Sequence, residues 1–332
     1  MIQLEKSVRT IVKDCLGLQP QESLQIIVEE SLSEIGEALW SCAKKTTPLA
    51  ILSRFSQKYS REPGLPPAIE ASLCSTDTAI ILTPKMVSEK LFEAAHHKGC
   101  RILALNHASK ELIERLSDVN FDKVANLSRR IADIFTIGRN MHITTPAGTD
   151  LKVSIAKIKG IAETGFASRN GDFTYLPAGE ACVYLDSNID GCVAIERIAG
   201  QKKALASPIL LHIRSGAIIQ IKGGKEAEQL RKDIRKLGKN GRHISEIGVG
   251  TNNKVVFGYS MQEDEKMYGT AHLALGQNHA TKVHGKIIPA IKGIMMKPTI
   301  AIDGRLIVEE GNILVGGLGN EKTQIKIDRR RN

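Results

Sequence analysis

The sequence predicts an α/β protein in two parts. An N-terminal Rossmann-like α/β layer with a mainly parallel sheet spans residues 1–116, and a C-terminal α+β domain with a largely antiparallel sheet spans 117–332. Three observations carry this expectation. The chain has 332 residues, too many for one compact core. Its first third alternates short, wholly apolar runs with helical stripes, the pattern of a parallel sheet covered on both faces. Beyond about residue 117 the apolar runs come in pairs joined by tight turns, which marks hairpins.

The first third reads as follows. Leu4, Val8, Ile11, Val12 and Cys15 form one helical stripe over residues 3–16. Ser23–Val28 is a strand, a helical pattern runs through Ile35, Ala38, Leu39 and Cys42, and Pro48–Leu52 is a second strand. The prolines at 63, 66 and 67 lead into a short helix ending near Leu73. Asp77–Leu82 and Arg101–Leu105 are further strands, separated by a helical run over 86–98. No GxGxxG follows the first strand, so a dinucleotide site is not expected. His96 and His97 end the helical run before Gly99 and read as a C-terminal charge pair.

In the second part a helix over Phe121–Thr136 leads to a hairpin over 141–155 that turns at Pro146-Ala147-Gly148. Further hairpins turn at Ser215-Gly216 and Asp303-Gly304, dipeptides suited to two-residue connections. A helix over 225–237 separates them. Ile221-Lys-Gly-Gly-Lys225 before it reads as a strand-to-helix turn rather than an anion cradle.

Composition narrows the function classes. Apolar content of 42% and charged content of 25% are ordinary for a globular protein, and aromatics are scarce at 4%. The net charge is +10, but the basic residues are scattered and only Asp328-Arg329-Arg330-Arg331 forms a run. That balance reads as a solvated surface, and nucleic acid is not expected as a partner. The six cysteines show no CxxC spacing and read as free thiols in a cytoplasmic protein. The N-terminus lacks the apolar centre of a signal peptide, and no run is long enough to span a membrane.

The chemistry-bearing residues cluster in the second part. Leu176-Pro-Ala-Gly-Glu180 starts a strand with Glu180 at a sheet edge. Glu246 ends a short apolar run before a glycine-rich turn at Gly248 and Gly250, and His272 follows Gly269 on the next run. Glu263, Asp264, Glu265 and Lys266 make a charged patch between them. Two carboxylates and an imidazole from three strand starts can hold a divalent metal or act as an acid/base pair. His279 and His284 lie nearby, and there is no HExxH, GxSxG or Walker loop.

At these residues the chain resembles a known family. LPAGE at 176–180, EIGVGTN at 246–252, EKMYGTAHLALGQN at 265–278, PTIAIDGRLIVEEG at 298–311 and TPAGTDL at 145–151 together resemble the aminopeptidase T (leucyl aminopeptidase-like) metallopeptidases. The resemblance implies a cytoplasmic homodimer without membrane contact, a peptide or amino-acid-like ligand, and two divalent ions such as zinc, cobalt or manganese. It places Glu180, Glu246 and His272 at ligand positions, with Glu246 bridging. Some relatives of this fold are iron-dependent ring-cleaving dioxygenases.

One segment departs from that pattern. Where the family carries a His-x-Asp pair, this chain has Ala290 and Lys292. Exchanging an imidazole for a methyl and a carboxylate for an ammonium removes two ligands and adds charge of the wrong sign. The expectation is a peptide- or small-molecule-binding cleft in which Lys292 sits among the glutamates as a fixed cation, with the dinuclear site degraded and no metal required. The alternative is an active aminopeptidase hydrolase on an irregular site, with Glu180 as base and His284 as substitute ligand. A ring-cleaving dioxygenase, in whose relatives the resemblance puts iron ligands at these same two positions, and a nucleic-acid binder rank below these.

Overall fold

The computed structural model describes residues 2–56, 58, 65–83, 98–185, 188–276, 281–283, 286–288 and 291–315. His96, His97, His279, His284, Ala290, the run 86–97 and the arginine tail lie outside the described residues.

The chain opens with a helix, Ile2–Arg9, continued as a π-helix over Thr10–Cys15, which buries Ile11, Val12 and Cys15 as its stripe requires. Strands β1 (Leu24–Glu29), β2 (Ala50–Phe55), β3 (Thr78–Thr83) and β4 (Arg101–Asn106) follow, with the helix Ser33–Ala43 crossing between the first two. The helix Phe121–Ile137 then leads to β5 (Asn140–Thr144), β6 (Asp150–Ser154), β7 (Ile161–Glu163), β8 (Phe173–Tyr175) and β9 (Glu180–Tyr184). Next come β10 (Ile189–Ile195), β11 (Arg197–Ile198), β12 (Ile209–Arg214) and β13 (Ala217–Lys222), then the helix Lys225–Lys236 and β14 (Ile244–Gly250). After β15 (Ala271–Leu275) the chain continues through β16 (Thr281–Val283), β17 (Lys286–Ile288), β18 (Ile291–Met295), β19 (Thr299–Ile302), β20 (Arg305–Glu309) and β21 (Asn312–Ile313).

Among the described residues the first sheet has the order β2-β1-β3-β4-β8 and is parallel throughout. β1, β3 and β4 are buried at every position, as their uninterrupted apolar runs require of strands covered on both faces. β2 is the outer strand and runs over 50–55 rather than 48–52, because Pro48 and Leu49 form the turn that enters it. β8 returns from the later chain to pair with β4.

The second sheet, β13-β12-β10-β6-β5-β19-β20-β21, and the third, β11-β18-β15-β14-β9-β7, are antiparallel. They enclose one core in which Ala181, Val183, Ile247, Val249 and Leu273 pack with Ile143, Leu151, Val193, Leu211 and Ile300. An α/β layer with a parallel sheet and a largely antiparallel remainder is thus the fold class that the patterning predicts. The hairpins turn where the dipeptides place them, with Ser215, Gly216, Asp303 and Gly304 all at positive φ.

Two local expectations change. Gly248 and Gly250 lie inside β14 rather than in a turn, and Glu180 lies one strand in from the sheet edge, covered by β7. No helix among the described residues is long and apolar enough to cross a membrane.

The turn ahead of β15 depends on Gly269. Its φ is +73°, and a Cβ there would collide with the backbone carbonyl of Gly311 beside β21. Gly269→Ala is therefore expected to lower unfolding stability by at least about 1 kcal/mol, measured by urea denaturation. An unchanged midpoint would show that this turn does not hold the hairpin.

Candidate metal centre

One face of the third sheet faces the core; the other carries the chemistry. Side chains alternate along strands and align across them. Glu163 of β7 stands opposite Glu180 of β9, Cys182 opposite Gly248, and Gly248 opposite His272. Glu246 stands opposite Ala274, and Ala274 opposite Lys292 of β18. Long functional side chains thus alternate with small residues across the sheet. The methyl of Ala274 leaves room for Glu246 and Lys292 to meet above it, with Lys292 Nζ 2.9 Å from Glu246 Oε1. Gly248 leaves room for the His272 ring, which a Cβ would strike at Cε1 and Nε2.

A second wall closes over this face. Ser260 caps the one-turn helix Met261–Asp264, its Oγ accepting from Glu263 N at 3.0 Å. The Asp264 carboxylate accepts from the backbone N–H groups of Gly258 and Gly200. With that turn fixed, Glu265 and Lys266 both point inward and are buried. Lys266 Nζ lies 2.6 Å from Glu163 Oε2, 2.8 Å from Glu180 Oε1 and 2.8 Å from Glu265 Oε1. Lys292 bridges Glu246 and the far oxygen of Glu265. His272 Nε2 is 3.1 Å from Glu246 Oε1 and 3.3 Å from Glu180 Oε2.

The structure brings Glu180, Glu246, His272 and Lys292 together. It adds Glu163, Glu265 and Lys266. Glu265 and Lys266 read in the sequence only as part of a charged patch. Their signal was position, since the pair falls between two buried glycine-rich segments. Glu163 ends a three-residue strand and has no sequence signal. A surface hollow bordered by Glu37, Trp40 and Arg54 lies on the first sheet and involves none of these residues.

The electrostatics split the carboxylates. Burial raises Glu180, and Glu265 and Glu163 add to this, so that even beside Lys266 its carboxyl is pushed up to about 7. Burial would also raise Glu246, but Lys292 and His272 outweigh it and hold that carboxyl well below its ordinary value. For Lys266 burial opposes the charged form, and its three carboxylates overcome it, leaving the ammonium above the usual lysine range. Burial, reinforced by the charges of Glu180 and Glu246, holds the Cys182 thiol protonated, so it is a poor metal ligand.

The donor set fits one divalent ion. Ligand atoms around an ion with bonds of ~2.1 Å lie about 3.0–3.4 Å apart. The spacings from His272 Nε2 to the two carboxylates fall in that range. Glu180 Oε2 is buried and makes no hydrogen bond. Four carboxylates stand against two ammoniums, an acidic excess that a dication or protons would offset. Glu163 Oε2, Glu180 Oε1, Glu246 Oε1 and both oxygens of Glu265 face a lysine.

The sequence matches the model of the 2,5-dihydroxypyridine 5,6-dioxygenase (NicX) family over residues 43–315, and the chain belongs to that family. No curated protein matches it. Among solved structures it is similar to the 2,5-dihydroxypyridine dioxygenase of Pseudomonas putida KT2440, with a TM-score of 0.79 and 19% identity over 95% of this chain and 98% of that one. It is also similar to wild-type AmpT of Thermus thermophilus, with a TM-score of 0.70 and 14% identity over 95% and 99% of the two chains. At these identities both likenesses speak for the fold. The family match overturns the expectation of a leucyl aminopeptidase-type hydrolase. The quoted motifs supply the strands and donors of this fold, and such donors suit more than one metal chemistry.

The charge excess makes Glu180 the group that holds a proton near neutrality. A protonated-carboxyl infrared band is expected to disappear as pH rises through about 7, and to be missing in Glu180→Gln. A wild-type spectrum without that band at pH 5–6 would contradict the electrostatic account.

Proposed function

We propose that this protein is a metal-dependent dioxygenase that opens a small hydroxylated ring of the dihydroxypyridine or phenolic type. Family membership over residues 43–315 carries the reading. The donor set of Glu180, Glu246 and His272 supports it, because one imidazole and two carboxylates are ligand types that ferrous iron takes. A ferrous ion held there supplies the redox chemistry with dioxygen that none of these side chains can perform.

The chain's own groups then have distinct tasks. Glu246, kept ionised by Lys292 and His272, is a permanent anionic donor. Glu180 offers the ion its buried Oε2, which makes no hydrogen bond, while its Oε1 stays with Lys266. Lys292 is the more exposed of the two lysines, with 12% of its side chain accessible against 1% for Lys266. Among the described residues two of its three donors face carboxylates, and the third would bind an oxygen substituent of the ring.

Oxygen uptake tests the reading. Protein loaded anaerobically with ferrous iron is mixed with 2,5-dihydroxypyridine, related hydroxypyridines and catechols in an oxygen electrode. The expected result is one O2 consumed per ring lost, abolished by chelator and by His272→Ala. Iron-loaded protein that consumes no oxygen with any of these rings would contradict it.

A further inference from the structure

The two lysines are the unusual part of this cluster. Each does geometrically what a bound cation does, drawing together carboxylates from separate elements. Lys266 joins Glu163, Glu180 and Glu265, and is 1% accessible. Lys292 joins Glu246 to Glu265 and is the one nearer solvent. It reaches its position from the outer side of β15, over the methyl of Ala274.

We propose that Lys292 occupies the place of a second divalent ion, so that its ammonium sets the metal capacity of the cluster one ion lower than its carboxylates would otherwise allow. The inference rests on the metal-centre reading above. Without Lys292, Glu265 Oε2 loses its lysine contact and Glu246 Oε1 keeps only that to His272 Nε2. Four carboxylates then face a single ammonium, an arrangement that draws in another dication. His272 and Lys292 meet at the same oxygen, Glu246 Oε1, so an ion in place of the ammonium would share Glu246 with the ion beside His272. Lys266 is not equivalent. It is sealed behind three carboxylates, and removing it opens no route for an ion from solvent.

The test is metal stoichiometry, with no reliance on turnover. Apo-protein is dialysed against Mn²⁺ and, separately, Co²⁺, and bound metal per chain is read by elemental analysis. Visible absorption of the cobalt form reports the ligand field. Wild type is expected to bind one ion per chain, and Lys292→Met two, with a changed cobalt spectrum. Lys292→Gln serves as a second variant that keeps a hydrogen-bonding group, should the apolar one fold poorly. Lys297→Met, which removes an exposed lysine just beyond β18, is expected to bind the same number as wild type. An unchanged count in both Lys292 variants, or two ions in wild type, would overturn the proposal. Wild type without metal, beside a Lys292 variant with one ion, would keep the role of Lys292 and defeat the metal-centre reading instead.

Discussion

The site depends on one buried ammonium. Lys266 has no accessible surface, yet it stays charged because Glu163, Glu180 and Glu265 surround it at 2.6–2.8 Å. Those carboxylates come from β7, from β9 and from the turn after the short helix at Met261, so a single cation ties three chain segments together. A buried ion pair adds little net stability against an apolar replacement of the same shape, but removing one partner leaves the other charge stranded. The contacts around Lys266 are therefore a condition for the segments to close, and Asp264 and Ser260 exist to hold the turn that delivers it.

Around that anchor the third sheet separates packing from chemistry. Its inner face is aliphatic and completes the core with the second sheet, while its outer face carries Glu163, Glu180, Glu246, His272 and Lys292. The alternation of large and small residues across β9, β14, β15 and β18 sets how close these groups come. Gly248 and Ala274 are as much part of the site as the groups that meet above them. The outcome is a pair of carboxylates driven apart in basicity, Glu180 upward by burial and Glu246 downward by Lys292, beside an imidazole that touches both. Such a pair puts two carboxylates of different basicity within one donor set.

Much of this was legible in the sequence, and the gaps have physical causes. Apolar runs and turn dipeptides report local conformation, so β1, β3, β4 and the hairpins at Ser215-Gly216 and Asp303-Gly304 could be read directly. Glu180, Glu246 and His272 could be brought together because each begins or lies within an apolar run that must be a strand. Glu265 and Lys266 were hidden because adjacent opposite charges ordinarily face water, and only the fold shows that they do not. Glu163 becomes a partner only through the pairing of β7 with β9. Lys292 was visible as a departure from the ligand pattern of the metallopeptidases and of their dioxygenase relatives alike, and the chain belongs to the 2,5-dihydroxypyridine 5,6-dioxygenase family. The shared motifs build the donor frame, and the reaction is decided by what binds above it.

The central claim is that the Lys266 ammonium holds the cluster together. Equilibrium urea unfolding of Lys266→Met, a replacement of similar length without charge, tests it most directly. The account predicts a loss of about 3–5 kcal/mol, because three carboxylates are left buried without their common partner. Adding Glu163→Gln or Glu180→Gln should recover part of that loss by removing one stranded charge. A Lys266→Met protein within about 0.5 kcal/mol of wild type, with no gain from either glutamine, would contradict it.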